Sequence, residues 1–171
     1  MKGYIHVYTG NGKGKTTAVL GLALRAVGAG KKVYFAQFVK GEIYSEIDAI
    51  NRYIPEITVK QYGQGCFIVD EPTSEDIQAA KEGLEEVGAV IRSGKYDVVV
   101  LDEATIALHY KLFSVEELIA VLQEKREETE IAITGRYAPE ELIEIADLVT
   151  EMKEIKHYYT KGISARKGIE Y

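Results

Sequence analysis

The stretch "YTGNGKGKTT", residues 8–17, constrains this chain more than any other. A short apolar run, Tyr4–Tyr8, leads into it, and a segment of helical period follows from Lys15, so the glycines fall where a strand turns into a helix. Such a turn aims successive backbone N–H groups at one concave point, at the positive end of the helix dipole. It is an anion site before any side chain is counted. Gly10, Gly12 and Gly14 let the backbone approach a phosphate without a Cβ in the way, Lys15 adds a mobile charge on what is expected to be an exposed loop, and Thr16 can offer its hydroxyl to Mg²⁺. The pattern G-x-x-x-x-G-K-[ST] asks for glycine at position 9, where this chain has Thr9. Thr9, Asn11, Lys13 and Thr17 complete the candidate nucleotide-binding loop. Lys13 is an extra cation, open to two readings: solvated and idle, or touching phosphate.

The second half of such a site is an acid at the carboxyl end of an apolar strand. "YDVVVLDEA" supplies Asp102 and Glu103 directly after four apolar residues, where a carboxylate can meet Mg²⁺ directly or through water. Thr16, Asp102 and Glu103 are the candidate metal ligands. Together the parts imply a nucleoside triphosphate with Mg²⁺, and they leave open a kinase, an ATPase, a GTPase or a nucleotide-driven assembly factor.

Short β-branched runs alternate with longer segments of helical period, the pattern of an α/β fold with a parallel sheet. Strands are expected at Tyr4–Tyr8, Val33–Phe38, Ile57–Tyr62, Tyr96–Leu101, Glu130–Thr134 and Leu148–Glu151, with a further one at Ile163–Tyr171. Helices are expected at Lys15–Gly28, Glu46–Tyr53, Ser74–Arg92, Ser114–Arg126 and Pro139–Ala146. Val98-Val99-Val100-Leu101 is apolar without alternation, which suits a central strand covered on both faces. Ser114 with Glu117 reads as a capping box, Pro139 suits a first helical turn, and Gly28, Gly30 and Gly94 can end helices. The expected fold is a single-domain P-loop (RecA-like) α/β fold over residues 1–171, its central sheet mostly parallel with helices on both faces.

Composition narrows the partners. A net charge of −6 argues against general affinity for nucleic acid, whose phosphates would be repelled. No apolar run approaches the roughly 18 residues of a membrane span, since even Ala18–Gly30 is interrupted by Arg25. No basic, apolar and small-residue leader is present, so the expected location is cytoplasmic. The single cysteine, Cys66, has no disulfide partner and reads as packing.

Beyond the loop, "TGNGKGKTTAVLGLALRAVGAGKKVYFAQFVKG" at 9–41, "VVVLDEATIAL" at 98–108, "ITGRYAPEELIEIADLVTEM" at 133–152 and "IKHYYTKGISARKGIEY" at 155–171 carry a more specific signal. In this order and over most of the chain, the sequence resembles the P-loop-type ATP:corrinoid adenosyltransferases. The resemblance implies transfer of the 5′-deoxyadenosyl group of ATP to the Co(I) of a corrinoid, with release of triphosphate, in the making or salvage of adenosylcobalamin. It also accounts for the lack of any convincing Ser/His/Asp set: reduced cobalt would bring the nucleophile. By the same resemblance, Gly10 to Thr16 wrap the triphosphate, Thr16 and Glu103 bind Mg²⁺, and Lys15 offsets leaving-group charge. Lys15 and Glu103 are thus the candidate catalytic residues. The nucleotide is expected to lie reversed along the loop, with its ribose end at the reaction centre. Glu46 would help hold the nucleoside, and Arg136 would reach a phosphate or serve as a surface ion-pair partner. Many members carry a "GFTW" segment whose aromatics press on the corrin, whereas this chain reads "GQGCFIVDEP", has no tryptophan and offers only Phe67 as the corrinoid-binding match. It also begins at the first strand, without the N-terminal extension of some members. A reductase supplying Co(I) and a homodimer are further implications. Cleavage of the γ-phosphate by an ordinary P-loop enzyme, and nucleotide or corrinoid binding without catalysis, are the alternatives.

Overall fold

The computed structural model describes residues 2–40, 44–63 and 71–171. The β-branched runs form β1 (Ile5–Thr9), β2 (Val33–Phe38), β3 (Ile57–Tyr62), β4 (Val98–Asp102), β5 (Glu130–Thr134) and β6 (Leu148–Glu151). All pair in parallel, in the order β3-β2-β4-β5-β1-β6. The segments of helical period form α1 (Lys15–Gly28), α2 (Ser45–Tyr53), α3 (Ser74–Ser93), α5 (Val115–Gln123) and α6 (Glu140–Ile145), and a short helix, α4 (Ala104–His109), follows β4 directly.

Strand side chains alternate between two cores. Tyr34, Ala36, Phe38, Val99, Leu101, Ile131 and Ile133 pack with α3 to α6. Val33, Phe35, Val98, Val100 and Ala132 pack on the opposite face with α1 and Ile50 of α2. That double cover explains why β4 is buried at every position and has no polar alternation. Each fully buried Phe or Leu, such as Phe35 and Leu118, contributes about 1.5–3 kcal/mol of hydrophobic stabilisation.

Helix ends follow local chemistry. Ser114 and Glu117 form the expected capping box, and Thr73 with Asp76 forms a second at the start of α3. Gly94 caps α3 in the left-handed conformation. Two expectations fail. α5 stops at Gln123 instead of Arg126, because the N–H groups of Glu124 and Lys125 bond three residues back and the Arg126 side chain turns to the Arg92 carbonyl. Ile163–Tyr171 is not a strand: Gly162 and Gly168 turn the chain at positive φ, and the segment is drawn to Lys13 and Ser45 instead of a sheet edge. The segment instead crosses the phosphate loop, after a 3-10 turn at Tyr158–Lys161. The helix α4 was not expected, since six residues are too few to display a period.

The topology places the site. The chain leaves β1 toward α1 on one face, but leaves the neighbouring β5 toward α6 on the other. Diverging connections open a crevice at the carboxyl ends of the strands, the usual ligand position in an open parallel sheet.

Candidate functional site

The phosphate loop is built as its glycines require, and one of them answers for the residue at position 9. Thr9 ends β1 in register with Glu151, so it is extended and needs no glycine; the left-handed step falls on Gly10, at φ 98°. The loop is braced by the backbone beyond β6. Gly12 N–H donates to the Met152 carbonyl at 2.6 Å, and Met152 N–H donates to the Thr9 carbonyl at 2.8 Å. A Cβ at Gly10 or Gly12 would lie 2.6 Å from that Met152 oxygen. These glycines are therefore needed for packing against Met152.

Lys15 differs from its expected exposure. It is buried at the start of α1, and its ammonium donates to the carbonyls of Gly10 and Gly12, each at 2.8 Å. Burial lowers its pKa, Glu103 opposes that shift, and Arg136 adds to it. The lysine clamps the loop shut on itself, and an arriving polyphosphate would compete with two carbonyls for it.

Thr16 and Asp102 meet as the sequence requires: the Thr16 hydroxyl donates to Asp102 Oδ1 at 2.9 Å. Asp102 is fully buried, and Thr134 and Gln37 also donate to it, at 2.7 and 2.9 Å. Glu103 is the acid that faces the cleft. Its backbone is left-handed at φ 59°, a conformation costing a non-glycine residue about 1–3 kcal/mol. Its N–H is held by the Thr134 hydroxyl at 3.0 Å. Burial raises the Glu103 pKa, the Asp102 charge raises it further, and Lys40, Lys15 and Arg136 oppose the shift.

Lys40 was missed by the sequence reading. Its ammonium lies 3.9 Å from both Asp102 and Glu103 and 5.1 Å from the centre of the Tyr44 ring. The available signal was a lysine just past a fully buried strand, at the same sheet edge as the acids.

These groups line a cleft of about 640 Å³ that also takes in Asn11, Lys13, Thr17, Glu46, Arg136 and residues 168–171. Arg136 is exposed and makes no ion pair among the described residues. Lys13 is turned away from the loop: it bonds to the Ile169 carbonyl at 2.6 Å, Glu170 at 2.7 Å and the Tyr158 hydroxyl at 3.3 Å. Lys13, then Tyr158 and Arg166, hold the Glu170 carboxyl far below its usual range. Ser45 of α2 donates to the Tyr171 carbonyl at 3.0 Å, so the last residues strap the loop to the second helix. A second cavity of about 320 Å³ adjoins the cleft and shares Lys40, Glu103 and Arg136 with it. Its other walls include Val39, Ile106, Tyr110 and a His109–Tyr137 pair with ring centres 4.4 Å apart. Val39 and Tyr137, like Glu103, are left-handed, so three strained residues follow the ends of β2, β4 and β5 around this cavity. Phe67 and Cys66 lie outside the described residues.

A family model described as "ATP:corrinoid adenosyltransferase BtuR/CobO/CobP" matches residues 1–171. Corrinoid adenosyltransferases of a Sinorhizobium species and of Escherichia coli K12 are each 37% identical over 99% of this chain, which covers 81% and 86% of their lengths. One from Salmonella typhimurium is 36% identical over 99% of the chain and 86% of its own length.

Proposed function

The chain belongs to the ATP:corrinoid adenosyltransferase family, and from that premise we propose that the cleft holds ATP while the adjoining cavity forms part of the wall that meets the corrinoid. The enzyme is a corrinoid adenosyltransferase. One observation carries the placement: Lys40, Glu103 and Arg136 line both cavities, so a nucleotide in one and a macrocycle seated against the other meet at those three residues.

In this reading the triphosphate lies along Gly10–Thr16 and the ribose end points to the shared wall. The Co(I) of the corrinoid attacks C5′; the Co–C bond forms as the C5′–O bond breaks, and the electron pair leaves with triphosphate. No protein nucleophile is required. The loop N–H groups and Lys15 stabilise the departing charge, with Arg136 beside them, while the two cavities fix the approach of C5′ to cobalt. Glu46, in the first turn of α2, lines the nucleoside side of the cleft. Phe67 remains the proposed corrin contact from sequence.

The donor set fits Mg²⁺. The Thr16 hydroxyl and the Glu103 carboxylate are hard oxygen donors, with Asp102 behind Thr16. Among the described residues no three His, Cys, Asp or Glu side chains form a closed cage, and Mg²⁺ ordinarily completes its shell with phosphate oxygens and water. When bound, the ion would supply charge compensation for the triphosphate.

The reading extends to one domain over residues 1–171, a cytoplasmic location, an external reductase for cobalt and a homodimer. No described helix is long and apolar enough to cross a membrane. The edge strand β6 leaves Leu148 and Val149 exposed, an apolar margin suited to a second copy. Incubation with ATP, Mg²⁺ and chemically reduced cobalamin or cobinamide should give a light-sensitive Co–C product and triphosphate in equal amounts. ADP and phosphate in their place would overturn the reading.

A further inference from the structure

We propose that Gln37 is a positioning residue for the metal-bound nucleotide, acting through a row of side chains that crosses the sheet from Gln61 to Thr134. The row follows from register. Gln37 on β2 pairs with Gln61 on β3 and with Asp102 on β4, while Leu101 pairs with Ile133, which brings Thr134 of β5 level with Asp102. In a parallel sheet, register partners point to the same face, so these four side chains stand side by side at the carboxyl edge.

Their hydrogen bonds converge on Asp102. Gln61 Nε2 donates to Gln37 Oε1 at 2.8 Å, and Gln37 Nε2 donates to Asp102 Oδ2 at 2.9 Å. Asp102 Oδ1 takes the hydroxyl hydrogens of Thr16 at 2.9 Å and Thr134 at 2.7 Å. An ionised carboxylate only accepts, so the Gln37 amide must turn its nitrogen to Asp102, leaving its oxygen to Gln61. Gln37, Asp102 and Thr134 are all fully buried, so no water can replace a lost partner.

The row fixes both groups that face the cation site. Thr16 has a single hydroxyl hydrogen, and Asp102 consumes it, so the oxygen meets the cleft with lone pairs only. Thr134 gives its hydrogen to Asp102 and accepts the Glu103 N–H with a lone pair, holding the left-handed backbone that aims Glu103 into the cleft. Gln37 donates to Asp102 Oδ2, with the Lys40 ammonium 3.9 Å from the same oxygen, which leaves Oδ1 to the two threonines. Without the Gln37 donor, Asp102 keeps the threonines but can turn toward Lys40, which tilts the common anchor of the Thr16 hydroxyl and the Glu103 turn.

This inference rests on the reading that the cleft binds ATP with a divalent cation. The test uses Gln37→Met, which keeps length and removes both polar atoms, and Gln61→Met at the half-buried end of the row. Mn²⁺ affinity is read by electron paramagnetic resonance with saturating ATP, and ATP affinity is read separately in EDTA. Partners behind a metal ligand change metal affinity by about 10–100-fold. Gln37 lies one hydrogen bond farther back, on Asp102, so Gln37→Met should weaken Mn²⁺ binding at the low end of that range, by about tenfold, while metal-free ATP affinity stays within about twofold. Gln61→Met should shift Mn²⁺ affinity the same way by a smaller factor, and it carries the test if Gln37→Met does not fold. Unchanged Mn²⁺ affinity in a folded variant, or equal losses with and without metal, would overturn the assignment. Failure of the unmodified protein to bind Mn²⁺ with ATP would instead overturn the reading of the cleft. Because binding is measured, the outcome is independent of which bond of ATP breaks.

Discussion

Replacing Gly12 by alanine tests whether the phosphate loop is shaped by its neighbour beyond β6. The new Cβ would lie 2.6 Å from the Met152 oxygen and 2.9 Å from its carbonyl carbon. To regain ordinary contact at 3.4 Å, the chain at Met152 must retreat by about 0.8 Å. That movement stretches the Gly12–Met152 hydrogen bond and pulls on the Met152–Thr9 bond beside it. Overpacking costs about 1–3 kcal/mol and a weakened hydrogen bond about 1 kcal/mol, so the loss should be about 2–4 kcal/mol. For a chain of this length the melting temperature should fall by roughly 5–15 °C. Gly21→Ala is the control: it lies exposed within α1 with nothing within 4 Å of a new Cβ, and should stabilise by about 0.4–1 kcal/mol. Thermal unfolding followed by circular dichroism reads both variants, and calorimetric titration with ATP should show affinity reduced at least about tenfold for Gly12→Ala alone, equivalent to about 1.4 kcal/mol. A melting temperature within about 2 °C of the parent, with unchanged ATP affinity, would refute the bracing role of Met152.

Lys15→Ala should lower ATP affinity by about two orders of magnitude, and it should also cost a few degrees of melting temperature, because the buried carbonyls of Gly10 and Gly12 lose a charged donor. A variant that melts like the parent would count against the clamp. Glu170→Gln removes the counter-charge of Lys13, and should speed amide exchange across residues 158–171 without changing exchange in β2 or β4. Because the folded Glu170 pKa is depressed, its contribution is full above the ordinary value of 4.5 and is lost progressively as pH falls from there toward the folded value far below. Acidification below pH 4.5 should therefore loosen the C-terminal strap step by step in the parent and have less effect in the variant, as followed by limited proteolysis with an acid-active protease. Thr73→Ala removes the acceptor for the Asp76 N–H and should destabilise by about 0.5–2 kcal/mol in denaturant titration.

Several features were legible in the sequence because their causes are local. The glycine spacing and the lysine after it define a turn between strand and helix without any distant residue. The run from Val98 to Leu101 declares a strand covered on both faces, and Ser114 with Glu117 declares a helix start. Where the reading failed, the deciding partner was far away or the element was too short. Lys15 looked like an exposed cation because the carbonyls that bury its charge belong to the turn's three-dimensional closure. Residues 163–171 looked like a strand because a local pattern says nothing of the distant Lys13 and Ser45 that hold this segment across the loop.

The sequence by itself determined the alternation of buried strands and amphipathic helices, the glycine-rich turn between β1 and α1, and the acid at the end of β4, all written in spacings of a few residues. Tertiary structure decided which side chains those elements bring together. Thr16 meets Asp102 across 86 positions, Gln37 meets Asp102 across 65, and Lys13 meets Glu170 across 157. Those meetings depend on the strand order β3-β2-β4-β5-β1-β6 and on register, which follow from how whole elements pack on two cores, a property no local pattern contains.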